Sequence, residues 1–315
     1  MANIAVNNDC NLQCPYCFAS RYIGGEEKQS ITMAQLEVIL EFLGRSGGGR
    51  VGLVGGEPTL HPQLGAILER VGAFVAGAGR HAVLFTNGVL LGGFAGLLRE
   101  DLRCLVNVNH PGVMGAGAWA ELERSMERLR VCGTLPFAGL GVNLYPTLPD
   151  HDFIFDLARR CGKECLRVSY AAPAGEFGDA DKAAYYALAK EQFLLCTQEA
   201  ERRGVQIRLD CNHVPRCYFT EAELGRLDRF VTGWRAYCEP VVDITPDFRA
   251  TACFGAYDPV DLRPFESIRD VERYLLLKKT APRAEANCGG KCAQCQKHEN
   301  LSCQGGCLAF SGQTT

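Results

Sequence analysis

Predicted strands and helices alternate along the first 170 residues or so of the chain. Short apolar runs rich in valine and leucine are each followed by a longer segment with apolar residues at helical spacing, about six times in succession. Such alternation predicts a parallel sheet whose strands are joined by crossover helices. The predicted strands are 2–6, 50–54, 82–85, 102–108, 137–144 and 164–169, and the predicted helices are 32–43, 63–74, 89–98, 119–129 and 153–160.

Polar motifs follow the predicted strands at the ends where such sheets carry their sites. A cysteine-rich loop comes after the first strand, and Gly55-Gly56-Glu57-Pro58 comes after the second. Thr86-Asn87-Gly88 follows the third strand, and Asn107 and Asn109 lie at the end of the fourth. The sequence therefore predicts one site at the carboxyl edge of the sheet. Periodicity alone does not separate a barrel from a doubly wound sheet.

Composition narrows the class of protein. The 315 residues suit one large α/β domain with a smaller appendage. A formal net charge of −3 gives no reason to expect a nucleic-acid or membrane-surface partner. No apolar run approaches the length of a membrane span, and the first residues lack the features of a signal peptide. We therefore expect a cytoplasmic protein.

Seventeen cysteines point to metal, because clustered cysteines in a chain without a signal peptide are more often ligands than disulfides. Cys10, Cys14 and Cys17 have the spacing C-x3-C-x2-C within one loop. Three thiolates can hold three irons of a [4Fe–4S] cluster and leave the fourth iron open for chemistry. The alternatives are a zinc knuckle or a disulfide pair, although zinc sites prefer two separated ligand pairs.

With Tyr16 just before the third cysteine, this loop resembles the signature of the radical S-adenosylmethionine (radical SAM) superfamily. In that superfamily the open iron chelates the amine and carboxylate of SAM. An electron from the cluster then splits SAM into methionine and a 5′-deoxyadenosyl radical. The resemblance implies an α/β fold, the partial (β/α)6 TIM-like barrel of radical SAM type, with a small cysteine-rich C-terminal domain. It also implies a low-potential electron donor such as flavodoxin or ferredoxin.

Gly55, Gly56, Glu57 and Pro58 match the superfamily's glycine–glycine–glutamate motif, which holds the SAM amine in the family. Two glycines would let the backbone approach a ligand closely, and a carboxylate accepts hydrogen bonds from an ammonium group. Gly-Gly after a strand is by itself usually a turn. Its place one strand after the cysteine loop makes the two motifs a strong pair.

Five further side chains are candidate SAM contacts. Asn87 is otherwise a turn residue, and Asn107 and Asn109 sit where related enzymes bind the SAM ribose. Arg167, on the sixth strand with Ser169, could pair with the SAM carboxylate through its planar guanidinium, or else face solvent.

After a helix predicted at 182–203 and a strand at 206–210, the chain becomes rich in loops and cysteines. We expect a core barrel over 1–205 and a loop-rich auxiliary domain over 206–315. Cys238-x14-Cys253 and the later block resemble the SPASM domain, or its shortened twitch form, which carries one or two auxiliary [4Fe–4S] clusters. The cysteines of this second set are Cys238, Cys253, Cys288, Cys292, Cys295, Cys303 and Cys307.

The C-terminal sequence departs from the SPASM pattern at three points. The spacing before Cys303 is longer than usual, Phe248 stands where a glycine is expected, and no cysteine follows Cys307. The simplest twitch-like ligand set is Cys238, Cys253, Cys292 and Cys295. Cys303 and Cys307 could complete another cluster with Cys288, Cys211 or Cys217. A structural zinc site built on Cys292 and Cys295 is the alternative.

The remaining cysteines are expected to play other parts. Those within predicted core helices and strands are expected to be small buried hydrophobic residues: Cys104, Cys132, Cys161, Cys165 and Cys196. Cys217 is instead a candidate hydrogen-atom donor to a substrate radical, which would make it catalytic alongside the three cluster cysteines.

The resemblance implies an enzyme that abstracts hydrogen from a substrate C–H bond. The outcome would be oxidation, crosslinking or epimerisation. SPASM enzymes commonly modify peptides or proteins, which favours a peptide substrate. The first predicted strand begins at residue 2, which suggests no N-terminal peptide-recognition domain and keeps open a twitch-type oxidase or epimerase of an aminosugar or aminocyclitol. A non-catalytic metal-binding or electron-carrier protein would bind iron without cleaving SAM.

Overall fold

The structure is a computed structural model. It describes residues 2–23, 28–45, 49–172, 181–210, 212, 214–238, 241–287, 292, 294–299 and 303–312. The contacts divide the chain into two compact units. The first unit comprises Met1–Gln13, Ala19–Gly139 and Pro240–Leu277. The second comprises Cys14–Phe18, Leu140–Glu239 and Lys278–Thr315. These units are groups of contacting segments, so the sequence boundary expected near residue 205 stays a prediction.

Strands and helices alternate through residue 209, and shorter elements follow. The strands are β1 Ala2–Ala5, β2 Arg50–Val54, β3 His81–Thr86, β4 Leu102–Asn107, β5 Ala138–Leu144, β6 Cys165–Tyr170, β7 Gln206–Leu209, β8 Val231–Thr232, β9 Val242–Ile244, β10 Arg249–Thr251 and β11 Val260–Asp261. The α-helices are α1 Ser20–Ile23, α2 Met33–Gly44, α3 Leu64–Val75, α4 Pro111–Met114, α5 Ala116–Val131, α6 Asp152–Arg160, α7 Lys182–Arg203, α8 Glu221–Leu227, α9 Ile268–Leu275, α10 Ala281–Ala286 and α11 Gln296–Glu299.

The sheet of the first unit has the strand order β11-β10-β9-β1-β2-β3-β4. The strands from β9 to β4 run parallel, and β10 is antiparallel to both β9 and β11. Ala2 of β1 lies opposite Val51 on one side and Val242 on the other. The carboxyl ends of β1, β2 and β3 therefore meet at one edge, because parallel strands share their direction.

The helices of the first unit bury one face each, as their apolar spacing predicts. Thr32 caps α2 with a reciprocal capping box to Gln35. The buried side of α2 includes Leu36 and Ile39, and that of α3 includes Ile67. This apolar packing fixes the helices and so positions the loops at the carboxyl edge of the sheet.

The sheet segment of the second unit contains β5 to β8, which are parallel in sequence order. Helix α7 ends at Arg203 and is capped by Gly204, whose φ of 69° is in the left-handed region that favours glycine. Aromatic side chains form part of the core of this unit. Tyr185 and Tyr186 of α7 are fully buried, and both rings contact Phe310.

The expected α/β class is confirmed, because the strands are mainly parallel, helices alternate with them, and a cysteine-rich C-terminal region follows. One helix is wrong in kind. The segment expected as an α-helix over 89–98 is a 3₁₀ helix, Leu91–Leu97, because its three glycines are poor helix formers. Cys132 and Cys165 are exposed instead of buried, whereas Cys104, Cys161 and Cys196 are buried as expected.

The backbone of Phe248 has a conformation that is unusual for a residue other than glycine. This residue stands where the SPASM pattern has glycine, and its φ of 61° is in the left-handed region that glycine favours. The turn between β9 and β10 places it there, with the Phe248 N–H donating to the carbonyl of Thr245. Its ring meets that of Phe42 edge-on at 5.7 Å. The turn between β9 and β10 therefore holds a phenylalanine in a conformation that glycine usually adopts.

None of the helices in the part of the chain that the structure describes is both long enough and apolar enough to span a bilayer.

Candidate functional site

The carboxylate of Glu57 lies at the centre of a buried network at the ends of β2 and β3. Its side chain is 1% exposed. Oε1 accepts hydrogen bonds from the Thr59 N–H at 3.1 Å, the Thr59 hydroxyl at 2.5 Å and the Thr86 hydroxyl at 2.6 Å. Oε2 accepts from the Asn87 N–H at 2.7 Å. These four bonds all come from the chain itself.

The network gives Glu57 a structural task. Burial raises the pKa of its carboxyl, and the hydrogen bonds from Asn87, Thr59 and Thr86 oppose that rise. Glu57 also caps the short 3₁₀ helix Pro58–Leu60, in which Pro58 is buried. That the carboxylate receives the SAM amine stays a prediction, and the structure has its oxygens already engaged.

Gly55 and Gly56 make room for the segment that leads into the cysteine loop. A Cβ on Gly55 would lie 2.5 Å from the Asn7 carbonyl, and one on Gly56 would lie 2.1 Å from the Asp9 carbonyl. Hydrogen bonds close the same contact, from the Gly56 N–H to Asn7 O at 3.1 Å and from the Glu57 N–H to Asp9 O at 2.6 Å. The expected reason for these glycines was a close approach to a ligand, and their close approach here is to the chain just before Cys10.

Asn87 joins three parts of this edge. Its N–H is bound to Glu57, and its side-chain oxygen accepts from the Val89 N–H at 3.0 Å, which is the local turn that the sequence suggested. Its amide also donates to Asn11 Oδ1 at 2.7 Å. Gly88 completes the turn with a φ of 83°. The ends of β2 and β3 and the start of the cysteine loop are therefore held as one hydrogen-bonded set.

The three cysteines of the loop are neither buried nor fully exposed. Cys10 belongs to the first unit, and Cys14 and Cys17 belong to the second. The Cys17 N–H donates to the Cys14 carbonyl at 3.1 Å, which closes a tight turn. Their role as a joint ligand set stays a prediction.

Tyr16 is held in the core of the second unit. Its ring stacks on that of Tyr145 at 4.8 Å. Burial raises the pKa of Tyr16, and so does the neighbouring charge of Cys14. Its hydroxyl hydrogen-bonds with the side chain of Asn143, whose Oδ1 accepts from the Ser169 hydroxyl. Asn143, on β5, escaped sequence reasoning, since a lone asparagine in a strand gives no signal of a partner 127 positions away.

Two other predicted SAM contacts have partners within the chain. Arg167 pairs with Asp210, and both side chains are 26% exposed. Asn109 is buried and its amide donates to the Asn107 carbonyl at 3.4 Å, while Asn107 ends β4. The ion pair leaves the guanidinium of Arg167 close to a carboxylate of its own chain, which weakens the case for a second carboxylate from SAM. The role of Arg167 in binding the SAM carboxylate and that of Asn107 and Asn109 in binding the ribose stay predictions.

Cysteines of the second set gather around Gln304 to Gly306 in the second unit. The Gly305 N–H donates to Cys303 Sγ at 3.4 Å, and a Cβ on Gly305 would lie 2.9 Å from Cys292 Sγ. The Cys295 N–H donates to the Cys292 carbonyl at 3.1 Å.

Gln304 and Tyr186 anchor the flanking cysteines of this group. Gln304 accepts from the Cys238 N–H at 2.6 Å, and the Tyr186 hydroxyl accepts from the Cys307 N–H at 2.6 Å. Both anchors are buried.

Cys217 also belongs to this neighbourhood. Burial raises the pKa of its thiol, and the charges of Cys292, Cys303 and Cys295 raise it further. Of the predicted four-cysteine twitch set, Cys253 belongs to the first unit and the other three belong to the second, and the set stays a prediction. Cys288 and Cys211 lie outside the described residues. In the described ranges, no three His, Cys, Asp or Glu side chains are grouped closely enough to hold a single metal ion.

Sequence comparison finds related proteins. The family model of the radical SAM superfamily matches residues 4–154. A probable GTP 3′,8-cyclase of Pyrococcus abyssi is 31% identical over 106 residues, which cover 34% of this chain and 33% of that protein. The match thus spans about a third of the length of the curated relative.

Solved structures match over nearly the whole chain. Streptococcus suis SuiB bound to S-adenosylmethionine has a TM-score of 0.67 at 16% identity, with 98% of this chain and 72% of that one covered. SuiB bound to precursor peptide SuiA has a TM-score of 0.62 at 14% identity, covering 98% and 70%. Native anSMEcpe with bound AdoMet and Cp18Cys peptide has a TM-score of 0.66 at 16% identity, covering 100% and 91%.

At these identities the likeness to the solved structures shows the fold alone. The family model matches the part of the sequence that contains the cysteine loop and the Gly-Gly-Glu motif. Membership implies a [4Fe–4S] cluster and SAM as cofactors. Residues 4–154 of the chain are therefore a domain of the radical SAM superfamily.

Proposed function

We propose that this radical SAM enzyme modifies a peptide and carries at least one auxiliary [4Fe–4S] cluster in its cysteine-rich C-terminal region, 206–315. The observation that carries the proposal is that Cys292 and Cys303 both lie at Gly305 in the second unit, with Cys295 in the turn that closes on Cys292. The fold likeness to SuiB and anSMEcpe, each solved with a peptide, extends over that region as well.

The donor set of the N-terminal loop fits the catalytic cluster. Cys10, Cys14 and Cys17 are three soft thiols on one loop, and thiolates are the ligands that iron–sulfur clusters take. When bound, the cluster would supply the electron that cleaves SAM. The protein binds and orients SAM and the substrate, and it excludes water from them. The residues before this loop are fixed by the Gly55–Gly56 contact, which would hold Cys10 at a defined place.

An orphan acceptor beside the motif fits the SAM amine. Asn7 Oδ1 is buried and has no hydrogen-bond partner among the described residues. It lies 2.5 Å from the Cβ position of Gly55, and Asn7 Nδ2 donates to the Glu57 carbonyl at 2.9 Å. A buried acceptor without a donor is costly, and an ammonium group would satisfy it. This makes Asn7, with the backbone of the motif, a better amine contact than the engaged Glu57 carboxylate.

The remaining predicted SAM contacts fall into two groups by their place in the fold. Asn107 and Asn109 stand at the carboxyl end of β4, where a ribose would be bound, and we retain them in that role. Tyr16, Asn143 and Ser169 form a connected polar set behind the cluster loop and position it. A low-potential donor such as flavodoxin or ferredoxin would reduce the catalytic cluster.

A nucleotide is the second candidate substrate, because the curated relative with 31% identity is a probable GTP 3′,8-cyclase. That match covers the radical SAM part alone and about a third of that protein. An aminosugar or aminocyclitol is the third class that the twitch resemblance implies.

Anaerobic turnover with named probes tests the proposal. The reconstituted enzyme is mixed with SAM, dithionite and, separately, Cp18Cys peptide, SuiA, GTP or an aminocyclitol. Deoxyadenosine is measured together with the mass of each probe in water and in deuterium oxide. We expect deoxyadenosine formation to rise with a peptide, which loses about 2 Da on oxidation or crosslinking, or gains solvent deuterium on epimerisation.

A matched variant guards against contaminating activity. The Cys10→Ala, Cys14→Ala, Cys17→Ala protein should leave every probe unchanged. A product from GTP or the aminocyclitol, with none from either peptide, would overturn the peptide assignment in favour of that small molecule.

A further inference from the structure

We propose that the first unit binds a short aliphatic carboxylate at the amino ends of β1 and β2, in a cavity lined by Arg50 and Arg80. The cavity is partly open to solvent and has a volume of about 300 Å³. That volume is at the lower end for small-molecule pockets, roughly 300–1,000 Å³. Ala2 and Val51, near the start of the two strands, lie on its wall. The cysteine loop and the Gly-Gly-Glu motif follow the opposite ends of the same strands, so the cavity is separate from the candidate functional site.

Arg80 brings both a positive charge and an unsatisfied donor to this wall. Its guanidinium lies over the ring of Phe74, which also lines the cavity, with 4.6 Å between Cζ and the ring centroid. Its Nε is buried and donates no hydrogen bond to any residue that the structure describes. A buried charged donor without an acceptor is costly. A carboxylate would satisfy it, because the edge of a guanidinium that includes Nε–H can donate two parallel hydrogen bonds to a carboxylate.

Other cationic side chains lie close to this arginine. Arg50 begins β2 and is opposite His81 of β3, which directly follows Arg80 in the chain. Partial burial lowers the pKa of His81, and the charges of Arg50 and Arg103 lower it further. The described residues that line the cavity include both Arg50 and Arg80 but no acidic residue. Like charges repel each other, so a bound anion would relieve the repulsion among these groups.

The rest of the wall is apolar and decides which anion fits. Leu43 of α2 and Ile268 of α9 are buried and line the cavity together with Phe74 of α3. A phosphate presents three or more strong acceptor oxygens, whereas the two arginines are the only polar side chains on the described part of the wall. A carboxylate needs one guanidinium edge, and the apolar wall would remove its aliphatic body from water. This composition favours an aliphatic carboxylate over a bare phosphate.

Anaerobic isothermal titration calorimetry of the reconstituted enzyme tests the site, with 3-methylbutanoate and inorganic phosphate as separate probes at constant chloride. We expect one molecule of 3-methylbutanoate to bind per chain, and phosphate to bind more weakly. Arg80→Met removes the guanidinium but keeps an apolar side chain, and should weaken carboxylate binding about tenfold or more. Arg124→Met, at an exposed arginine of α5 in the same unit, should bind the carboxylate as the wild type does.

Three results of the titration would each overturn the proposal. They are no binding of 3-methylbutanoate by the wild type, tighter binding of phosphate than of the carboxylate, and equal binding of the carboxylate by the Arg80→Met and wild-type proteins.

Arginine modification of the wild-type protein gives an answer that does not depend on the folding of a variant. Phenylglyoxal is added with and without 3-methylbutanoate, and labelling of Arg80 and Arg124 is followed by peptide mass spectrometry. We expect the carboxylate to slow the labelling of Arg80 severalfold, while Arg124 is labelled at the same rate in both samples. Equal labelling of Arg80 in the two samples would overturn the assignment.

Discussion

The carboxylate of Glu57 accepts a hydrogen bond from the backbone N–H of Asn87 at 2.7 Å. The two residues follow neighbouring parallel strands, β2 and β3, and this bond ties their carboxyl ends together. Asn87 in turn donates to Asn11, one residue after Cys10. The Gly-Gly-Glu motif thus stabilises the edge of the sheet from which the cluster loop emerges.

Replacing Glu57 with Gln is expected to destabilise this edge. The amide of Gln would place a donor among groups that are all donors, and one buried bond would be lost without compensation. The expected cost is about 1–3 kcal/mol of unfolding free energy. Anaerobic urea unfolding measures it, with the exposed Glu69→Gln in α3 as the control. Equal stability of the two variants would contradict the structural role of Glu57.

Gly56→Ala is expected to displace the cluster loop. Its Cβ would meet the Asp9 carbonyl at 2.1 Å, so the backbone of residues 8–10 must move. Misplacement on the order of 1 Å costs roughly a hundredfold in rate. Deoxyadenosine formation with SAM and dithionite measures the loss.

Gly65→Ala is the matched control, because nothing lies within 4 Å of its Cβ position in α3. It should keep full activity and gain about 0.5–1 kcal/mol of stability. Comparable activity of the two alanine variants would mean that the contact between Gly56 and Asp9 does not position the loop.

Local sequence signals predict elements well here, because their causes are local. The strand 50–54 was predicted with the bounds that the structure has, and the helix predicted over 32–43 lies at Met33–Gly44. The apolar run after Gly88 was wrongly predicted to be an α-helix. Its apolar residues have helical spacing, but its glycines disfavour an α-helix. Sequence also identified the Gly-Gly-Glu motif, but not the contact of its glycines with residues about 48 positions earlier, which no local pattern shows.

Stability is expected to depend on pH through Asp243. This carboxyl on β9 is buried beside Asn3, whose Nδ2 donates to it at 2.7 Å. Burial raises its pKa to about 7, and the bond from Asn3 opposes the rise. Unfolded, it ionises near pH 4. Between about pH 4 and 7 the unfolded chain is therefore ionised while the native one is protonated, and stability falls as pH rises through this window.

Asp243→Asn removes that penalty. The variant should exceed the wild type by up to about 4 kcal/mol at pH 8, and by roughly 1–2 kcal/mol at pH 5. Anaerobic denaturation at both pH values measures the difference. Asp261→Asn, an exposed carboxyl next to Arg263, should show little change. A variant less stable than the wild type at pH 8 would contradict the account.

Lys182 is expected to tune the proposed auxiliary cluster. Its Nζ donates to the Asn287 carbonyl at 2.8 Å and side chain at 3.0 Å, and lies 3.4 Å from the Cβ position of Gly305, beside Cys292 Sγ. A nearby cation favours the reduced, more negative cluster. Lys182→Met should lower the midpoint potential by roughly tens of millivolts.

A redox titration followed by electron paramagnetic resonance measures that shift in the protein without the catalytic cluster. Lys182→Arg, which keeps the charge, should stay near the wild-type potential. Identical midpoint potentials for the Lys182→Met and wild-type proteins would show that Lys182 does not influence the auxiliary cluster.

The neighbourhood of Cys217 shows where sequence reasoning ends. Its spacing from Cys292 offers no pattern, and its position follows from aromatic packing between Tyr218 and Tyr186. The same holds for Asn143, which meets Tyr16 through the fold of the second unit. Contacts between distant segments depend on tertiary packing, which local periodicity does not encode.

The most direct test of the account combines iron, sulfide and deoxyadenosine in one anaerobic experiment. Wild-type protein and the Cys10→Ala, Cys14→Ala, Cys17→Ala variant are reconstituted side by side and given SAM and dithionite. We expect about eight irons or more per wild-type chain, about four fewer in the variant, and deoxyadenosine from the wild type alone. Wild-type protein that binds iron but forms no deoxyadenosine, or a variant that forms as much, would contradict a radical SAM enzyme built on these three cysteines.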